Sequence, residues 1–193
     1  MTEILYGKLY LAGIDEITQE FLISNNIKYI INVAKECTYE LIDLPDVEVK
    51  KFNIVDDFID IYDYFPVINN LINENLTKGS VLVHCMRGLS RSPAMIIAYL
   101  ICEHRMPLLE AVRYLRSKRT ILPNPHFMRE LMKLEANVLG TYSFDNIIDD
   151  YVVKYIICYF EYDKNTFNIV KQTYLRAGKN YDQTIKEILN AEK

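Results

Sequence analysis

The most informative stretch of this sequence reads Val81-Leu82-Val83-His84-Cys85-Met86-Arg87-Gly88-Leu89-Ser90-Arg91-Ser92-Pro93-Ala94. An apolar run ends at His84-Cys85, five residues follow, and a long apolar pattern begins after Arg91. This order predicts a buried strand, a tight loop and the first turn of a helix. The free N–H groups and the dipole at a helix N-terminus favour a bound anion. We therefore expect a loop that holds an anion against Cys85.

The residue types in this loop suit attack on a phosphate group. A cysteine next to a helix N-terminus is favoured as the reactive thiolate, and the planar donors of Arg91 fit two phosphate oxygens. Gly88 permits backbone conformations that other residues avoid, so the N–H groups from Met86 onward can turn inward. Ser92 can donate a hydrogen bond to the sulfur or can simply start the helix. The alternative is that Cys85 is an inert buried thiol at the end of a core strand.

The string His84-Cys85-x5-Arg91-Ser92 matches the signature of the cysteine-dependent protein phosphatases. With Gly88 and the Ser-Pro-Ala that follows Arg91, it resembles the dual-specificity branch of that family. Residues 6–13, 27–33 and 122–127 also resemble segments of these enzymes, so the resemblance extends over residues 1–139. It implies a small stand-alone phosphatase that forms a phosphocysteine intermediate, needs no cofactor and acts on phosphorylated proteins.

The resemblance also assigns roles to individual residues. His84 is expected to order the loop and support the thiolate rather than pass protons to the substrate. Asn124 either ties the segment before a late helix to the floor of the site or is a plain turn residue. The phosphate group is expected to contact the whole loop, which consists of Met86, Arg87, Gly88, Leu89, Ser90 and Arg91. Within this loop, Arg87 can attract acidic substrates or point to solvent.

The leaving group of the substrate needs a proton, and a carboxylic acid is the best candidate donor. In the dual-specificity family this acid is an aspartate that follows a strand, and Val55-Asp56 fits the hydrophobic-x-Asp pattern. Asp57 and Asp60 remain alternatives. The stretch between Asp56 and Phe65 is one residue shorter than the usual family pattern, so the loop geometry decides between the aspartates.

Three functions are compatible with this sequence. The first is hydrolysis of phosphotyrosine and of phosphoserine or phosphothreonine in proteins. The chain has no Trp, so the Trp-Pro-Asp loop of the larger tyrosine-specific enzymes is absent and a shallower pocket is expected. The second keeps the chemistry but uses RNA 5′-phosphates or phosphoinositides as substrates. The third is a phosphate-binding scaffold without turnover.

The amino-acid composition argues against several classes of protein. The 193 residues carry 22 basic and 26 acidic side chains, a net charge of −4, which argues against a general nucleic-acid binder. The four cysteines form no C-x-x-C pair, so we expect neither a metal site nor a disulfide framework, and we expect a reducing, cytoplasmic environment. The N-terminus does not resemble a signal peptide, and no apolar run reaches membrane-spanning length, so no membrane association is expected.

Alternating strand and helix signals predict an α/β fold with a central, mostly parallel, twisted sheet flanked by helices. Its strands are expected at residues 4–11, 27–33, 47–55 and 81–83. A short helix is expected over residues 18–25, with Thr18 as its N-cap.

At residue 140 the sequence pattern changes from alternating strand and helix signals to helical spacing alone. This change predicts a catalytic domain over residues 1–139 and a helical extension over residues 140–193. The extension should contain two or three helices, the first capped by Ser143. A stripe of Tyr151, Tyr155 and Tyr159 suggests that residues 144–193 bind a protein partner, most simply a second copy of the chain. Packing of this stripe on the catalytic domain is an equal alternative.

Overall fold

The computed structural model describes residues 1–38, 46–57 and 59–191. It divides into two compact units, residues 1–143 and residues 144–193. The first unit is a mixed α/β structure with a central, mostly parallel sheet, which confirms the predicted fold class. The second unit is helical throughout its regular structure.

The sheet of the first unit has five strands in the order β1-β2-β5-β3-β4. Strands β2, β5, β3 and β4 are parallel, and β1 pairs antiparallel with β2 at one edge. The strands are β1 (Thr2–Leu5), β2 (Leu9–Gly13), β3 (Ile27–Asn32), β4 (Glu48–Lys51) and β5 (Ser80–Cys85). All six residues of β5 are buried, as expected for a central parallel strand with both faces covered.

Among the described residues of the first unit, five α-helices accompany the sheet, and a short 3-10 helix over Ile14–Glu16 follows β2. The α-helices are α1 (Gln19–Ser24), α2 (Tyr64–Leu76), α3 (Arg91–His104), α4 (Leu108–Lys118) and α5 (Pro125–Leu139). Helix α1 begins as predicted, because the Thr18 hydroxyl accepts a hydrogen bond from the Phe21 N–H at 3.2 Å. Helix α3 is buried from Arg91 to Ile101, so its N-terminus is held at a fixed place beside the end of β5.

Two predicted strands differ from the structure. The single strand predicted over residues 4–11 is wrong, because the chain turns at Gly7, whose φ is +61°, and forms the β1–β2 hairpin. The strand predicted over residues 47–55 is shorter and ends at Lys51. After the Phe52 N–H bonds to the Asn32 carbonyl at 2.7 Å, the chain leaves the sheet. The acidic segment around Asp56 is thereby a loop rather than part of a strand.

The second unit contains α6 (Ile148–Tyr159), a 3-10 turn (Lys164–Thr166), α7 (Phe167–Arg176) and α8 (Tyr181–Ala191). Its core comprises Val152, Val153, Ile156, Ile157, Val170 and Tyr174, all of them buried. The predicted Ser143 cap is wrong, because α6 begins at Ile148. Ser143 is the last residue of the first unit, and its hydroxyl donates to Glu135 of the same unit at 2.6 Å.

The tyrosine stripe has partners inside the helical unit. Tyr155 stacks on Tyr159 with ring centroids 5.7 Å apart and meets the edge of Tyr181 at 6.1 Å. Tyr151 meets the ring of Phe144 at 5.6 Å. These contacts test neither predicted role of the stripe, so binding of a protein partner and packing on the catalytic domain both stay predictions.

Candidate active site

The Cys85 sulfur lies at the carboxyl end of the central strand, where the first residues of α3 surround it. The Gly88 N–H and the Ser92 hydroxyl each donate a hydrogen bond to this sulfur, both at 3.2 Å. Ser92 is fully buried and only 2% of Cys85 is exposed. Two hydrogen-bond donors therefore meet at one buried sulfur and fix its position beside the start of α3.

The loop between Cys85 and Arg91 turns its carbonyl groups outward. The Met86 carbonyl accepts from the Ile14 N–H at 3.0 Å, and the Leu89 carbonyl accepts from the Leu122 N–H at 2.8 Å. The Arg87 carbonyl accepts from a side chain, the guanidinium of Arg119, at 3.4 Å. In a planar trans peptide the C=O and the following N–H point in opposite directions. The N–H groups of residues 87, 88 and 90 therefore face the inside of the loop, where they can hold an anion.

Gly88 is required at its place by conformation and by space. Its φ is +66°, and a Cβ built there would lie 2.8 Å from the Ala12 carbonyl and 2.7 Å from an Arg119 nitrogen. The loop therefore packs closely against the end of β2. This close approach is the physical reason for the glycine that the sequence singles out.

Arg91 is 4% exposed and its guanidinium is held on two sides. Nη1 and Nη2 donate to the two carboxylate oxygens of Glu36 at 2.6 and 2.5 Å. Nη1 also donates to the Ile54 carbonyl at 3.1 Å. Hydrogen bonds from Arg91 hold the pKa of Glu36 below its ordinary value, so the pair stays ionised at neutral pH.

Asp56 reaches the loop through a side-chain hydrogen bond. The Ser90 hydroxyl donates to Asp56 Oδ1 at 2.7 Å, and Asp56 Oδ2 lies 3.8 Å from Nε of Arg91. Although 35% of this side chain is exposed, burial raises the pKa of Asp56, and the charge of Glu36 raises it further, against the lowering effects of Ser90 and Arg91. A carboxyl group that keeps its proton to higher pH is suited to donate that proton.

The other two candidate aspartates lie in different surroundings. Asp57 is exposed, and its backbone carbonyl accepts from the Asn124 side chain at 3.1 Å. Asp60 accepts from the Tyr62 N–H at 2.9 Å, and that bond lowers its pKa, which disfavours a proton donor.

Asn124 joins three parts of the site. Its N–H donates to the Ser90 hydroxyl at 3.0 Å, its side-chain amide donates to the Asp57 carbonyl, and its Oδ1 accepts from the His126 N–H at 2.8 Å to cap α5. The start of α5, the loop and the acidic segment are therefore linked through one buried side chain.

His84 faces the interior rather than the loop opening. It is fully buried, and its Nδ1 lies 3.3 Å from the Cys85 carbonyl. Burial lowers its pKa to about 4, despite the opposing effect of this backbone contact. The ring is therefore neutral at physiological pH, and because a carbonyl only accepts, the contact places the ring proton on Nδ1.

The structure brings most of the predicted residues together. Cys85, Ser92, Arg91 and Asp56 meet around one loop, whereas the side chain of Arg87 is exposed.

Sequence reasoning missed Glu36 and Arg119. No local pattern marks Glu36, which becomes a partner of Arg91 only when the turn after β3 reaches the loop.

No group of three or more His, Cys, Asp or Glu residues suited to a metal ion occurs within residues 1–38, 46–57 and 59–191. Among the helices in the part of the chain that the structure describes, none has the length and apolar character needed to cross a membrane.

The sequence model of the dual specificity phosphatase catalytic domain matches residues 9–137. A dual specificity protein phosphatase 1B from Arabidopsis thaliana is 33% identical over 144 residues, which cover 72% of this chain and 84% of that protein.

Two further proteins are similar over the same region. A MAP kinase phosphatase with leucine-rich repeats from Dictyostelium discoideum is 32% identical over 145 residues, and the match spans 70% of this chain but only 16% of that protein. The crystal structure of a human tyrosine phosphatase-like serine/threonine/tyrosine-interacting protein superposes with a TM-score of 0.65 at 30% identity, covering 72% of this chain and 97% of that one.

Proposed function

The chain belongs to the dual specificity phosphatase family and is a protein phosphatase, and we propose that it works through a phosphocysteine intermediate on Cys85. We further propose that its substrates are proteins carrying phosphotyrosine and phosphoserine or phosphothreonine. The observation that carries the mechanism is the pair of hydrogen bonds from Gly88 and Ser92 to the Cys85 sulfur, both at 3.2 Å.

In the first step the Cys85 thiolate attacks phosphorus, an S–P bond forms and the P–O bond to the leaving group breaks. The loop N–H groups and Arg91 stabilise the charge on the phosphoryl oxygens. Asp56 gives its proton to the departing phenoxide or alkoxide. The raised pKa of Asp56 and its position against Ser90 support this role.

In the second step water attacks the phosphocysteine and the S–P bond breaks. The Asp56 carboxylate takes a proton from this water, which regenerates the acid and yields inorganic phosphate. The Ser92 hydroxyl stabilises the thiolate as it leaves. The two steps return every group of the site to its starting state.

The experiment that tests this mechanism compares wild type with Cys85→Ser. Wild type should hydrolyse an aryl phosphate, and acid-quenched enzyme should carry phosphate on Cys85 by mass spectrometry. Cys85→Ser should lose turnover while it still binds tungstate, a tetrahedral oxyanion, by calorimetry. Equal and negligible hydrolysis by both proteins would exclude the enzyme mechanism and leave a phosphate-binding role.

A substrate panel tests the substrate class. Peptides with phosphotyrosine and with phosphothreonine should both lose phosphate, in support of a pocket that admits long and short side chains. Faster phosphate release from triphosphorylated RNA or from a phosphoinositide than from either peptide would contradict the proposed substrates.

A further inference from the structure

Glu16 ends the 3-10 helix that follows β2 and reaches two neighbouring segments with one carboxylate. Its Oε1 accepts hydrogen bonds from the Gly13 N–H at 2.8 Å and from Nη2 of Arg119 at 2.9 Å. Its Oε2 accepts from Nη1 of Arg119 at 3.4 Å. The ion pair lies partly out of water, since 33% of the Glu16 side chain and 14% of the Arg119 side chain are exposed. Glu16 therefore joins the end of β2 to the residue that follows α4.

The backbone that Glu16 holds lies directly against the loop of residues 86–90. Ile14, the residue after Gly13, donates its N–H to the Met86 carbonyl at 3.0 Å. A Cβ built on Gly13 would lie 2.9 Å from a carbonyl carbon of this loop. The hydrogen bond from Gly13 to Glu16 thus fixes the segment that holds the Met86 carbonyl.

Arg119 supports the same loop one residue further on. Its Nη2 carries two N–H groups, and this nitrogen donates both to Glu16 and to the Arg87 carbonyl, the latter at 3.4 Å. Its Nη1 also donates to the Leu11 carbonyl and to the Thr2 hydroxyl, each at 3.3 Å. These contacts hold the guanidinium between the sheet and the loop, where Glu16 balances its charge.

These outer contacts determine where the inner donors of the loop point. In a planar trans peptide the C=O and the following N–H point in opposite directions. The Met86 carbonyl therefore sets the direction of the Arg87 N–H, and the Arg87 carbonyl sets that of the Gly88 N–H. The Gly88 N–H donates to the Cys85 sulfur at 3.2 Å, so the contact made by Arg119 orients a donor that reaches the nucleophile.

We propose that Glu16 is a positioning residue, which holds the N–H groups of residues 87 and 88 toward the substrate phosphate through the Gly13 backbone and the Arg119 guanidinium. This inference rests on the proposed function, since it assumes that the loop binds the phosphoryl group. Glu16 acts on the reaction through the loop and does not touch the substrate. Donors that are already oriented when the substrate arrives need no reorganisation during the reaction.

The first test compares Glu16→Ala with wild type and with a matched control, Glu20→Ala. Both changes remove one carboxylate, and Glu20 lies exposed on α1. Glu16→Ala should lower kcat/KM for an aryl phosphate by on the order of 10–10²-fold, the effect of displaced catalytic groups, whereas Glu20→Ala should match wild type. A wild-type value of kcat/KM in folded Glu16→Ala would overturn the proposal.

The second test needs no turnover and therefore separates this inference from the proposed mechanism. In a Cys85→Ser background, Glu16→Ala should weaken tungstate binding by calorimetry to a similar extent, with an unchanged stoichiometry. A merely structural role would lower the stoichiometry or the free energy of unfolding and leave the affinity unchanged, and that result would overturn the proposal. Weaker tungstate binding in a chain whose wild type shows no turnover would support the positioning role and reject the proposed mechanism.

The third test uses Arg119 and does not depend on whether Glu16→Ala folds. Arg119→Met removes the hydrogen bonds to Glu16 and to the Arg87 carbonyl but keeps a long side chain, and it should weaken tungstate binding in the Cys85→Ser background. Adding Glu16→Ala should then cost less affinity than it does with Arg119 in place. Tungstate affinity unchanged by Arg119→Met, or an undiminished further loss, would contradict the proposed route through Arg119 and overturn the proposal.

Discussion

Asp56 and its neighbours form a small electrostatic unit at the edge of the loop between Cys85 and Arg91. Burial and the charge of Glu36 favour the protonated carboxyl, whereas Ser90 and Arg91 favour the carboxylate. The net result is a raised pKa. Asp56 therefore keeps its proton at pH values above 3.8, the ordinary pKa of an aspartate. As pH rises through this pKa the proton is lost, and an acid-dependent step should slow.

Substitution of Asp56 tests this reasoning. Asp56→Asn should reduce kcat by about 10²–10⁴-fold, the usual contribution of a general acid, with a smaller loss for substrates whose leaving group needs no proton. The alkaline fall of kcat should also disappear. These quantities are measured from pH–rate profiles with two aryl phosphates of different leaving-group pKa.

Asp57→Asn is the matched control, because it makes the same change one residue away. The Asp57 carboxylate is exposed and its structural tie to Asn124 uses the backbone carbonyl, so activity should stay close to wild type. A larger loss in Asp57→Asn than in Asp56→Asn would reverse the assignment.

Ser92 provides a second prediction at this scale. Ser92→Ala removes the hydroxyl that donates to the Cys85 sulfur at 3.2 Å, so thiolate departure should slow by about 10–10²-fold, the value of a hydrogen bond to a charged group. The phosphocysteine should then accumulate and rapid-mixing experiments should show a burst of the leaving group. Steady turnover without a burst, at the wild-type rate, would remove Ser92 from the second step.

At the scale of elements, the loop between Cys85 and Arg91 keeps its conformation because the residues that follow β2 and α4 support it from outside. Ile14 follows β2 and Arg119 follows α4, and both bind loop carbonyls. Gly88 lets the loop approach Ala12 closely.

Gly88→Ala should therefore damage the loop more than conformational strain alone does. Gly140→Ala is the matched control, because Gly140 has φ of +68° and nothing within 4 Å of its built Cβ. Both changes should lower the free energy of unfolding by about 1–2 kcal/mol, because each adds a Cβ to a residue in the left-handed backbone conformation. Only Gly88→Ala should also lose activity. The loss should be about 10²-fold, because displacing catalytic groups by about 1 Å has an effect of that size. Equal activity of the two variants would show that the contact with Ala12 is not important.

The site was predictable where local sequence determines local geometry. Cys85, Gly88, Arg91 and Ser92 lie within one strand–loop–helix unit, so their spacing alone brings them together. Glu36 was not predictable, because its partner is far along the chain and only the β3–β5 pairing brings the two together. The same limit explains the strand ends, since an alternating pattern does not show where Gly7 reverses the chain or where Phe52 leaves the sheet.

For the whole molecule, buried His84 links the stability of the fold to pH. Its pKa is about 4 in the folded protein and 6.5 in the absence of burial. Between these values the unfolded chain binds a proton that the folded protein does not, so stability rises with pH and is lost on acidification from 6.5 to 4. The loss from this residue amounts to about 3–4 kcal/mol at roughly 1.4 kcal/mol for each pKa unit.

Denaturant unfolding measured from pH 7 to pH 4 checks this expectation, with His84→Gln as the comparison. The variant should show a flatter dependence of the free energy of unfolding on pH across that range. Glu16 affects stability at lower pH than His84 does. Burial opposes ionisation of its carboxyl group, but hydrogen bonds from Arg119, the N-terminal amine and Gly13 lower its pKa to about 2. Its contribution to the free energy of unfolding is therefore lost only as the pH falls below 4.5. Identical slopes for wild type and His84→Gln would contradict the assignment of the upper window to His84.

The central position of β5 in the sheet also determines when the site forms during folding. Val81 lies beside Leu9 on one side and Tyr29 on the other, and both partners precede it by a long stretch of chain. Contacts between distant segments form late, because loop closure must be overcome first. The hydrogen-bond donors that surround the Cys85 sulfur in the folded protein are therefore assembled only late in folding, by the same cooperative step that buries the sulfur.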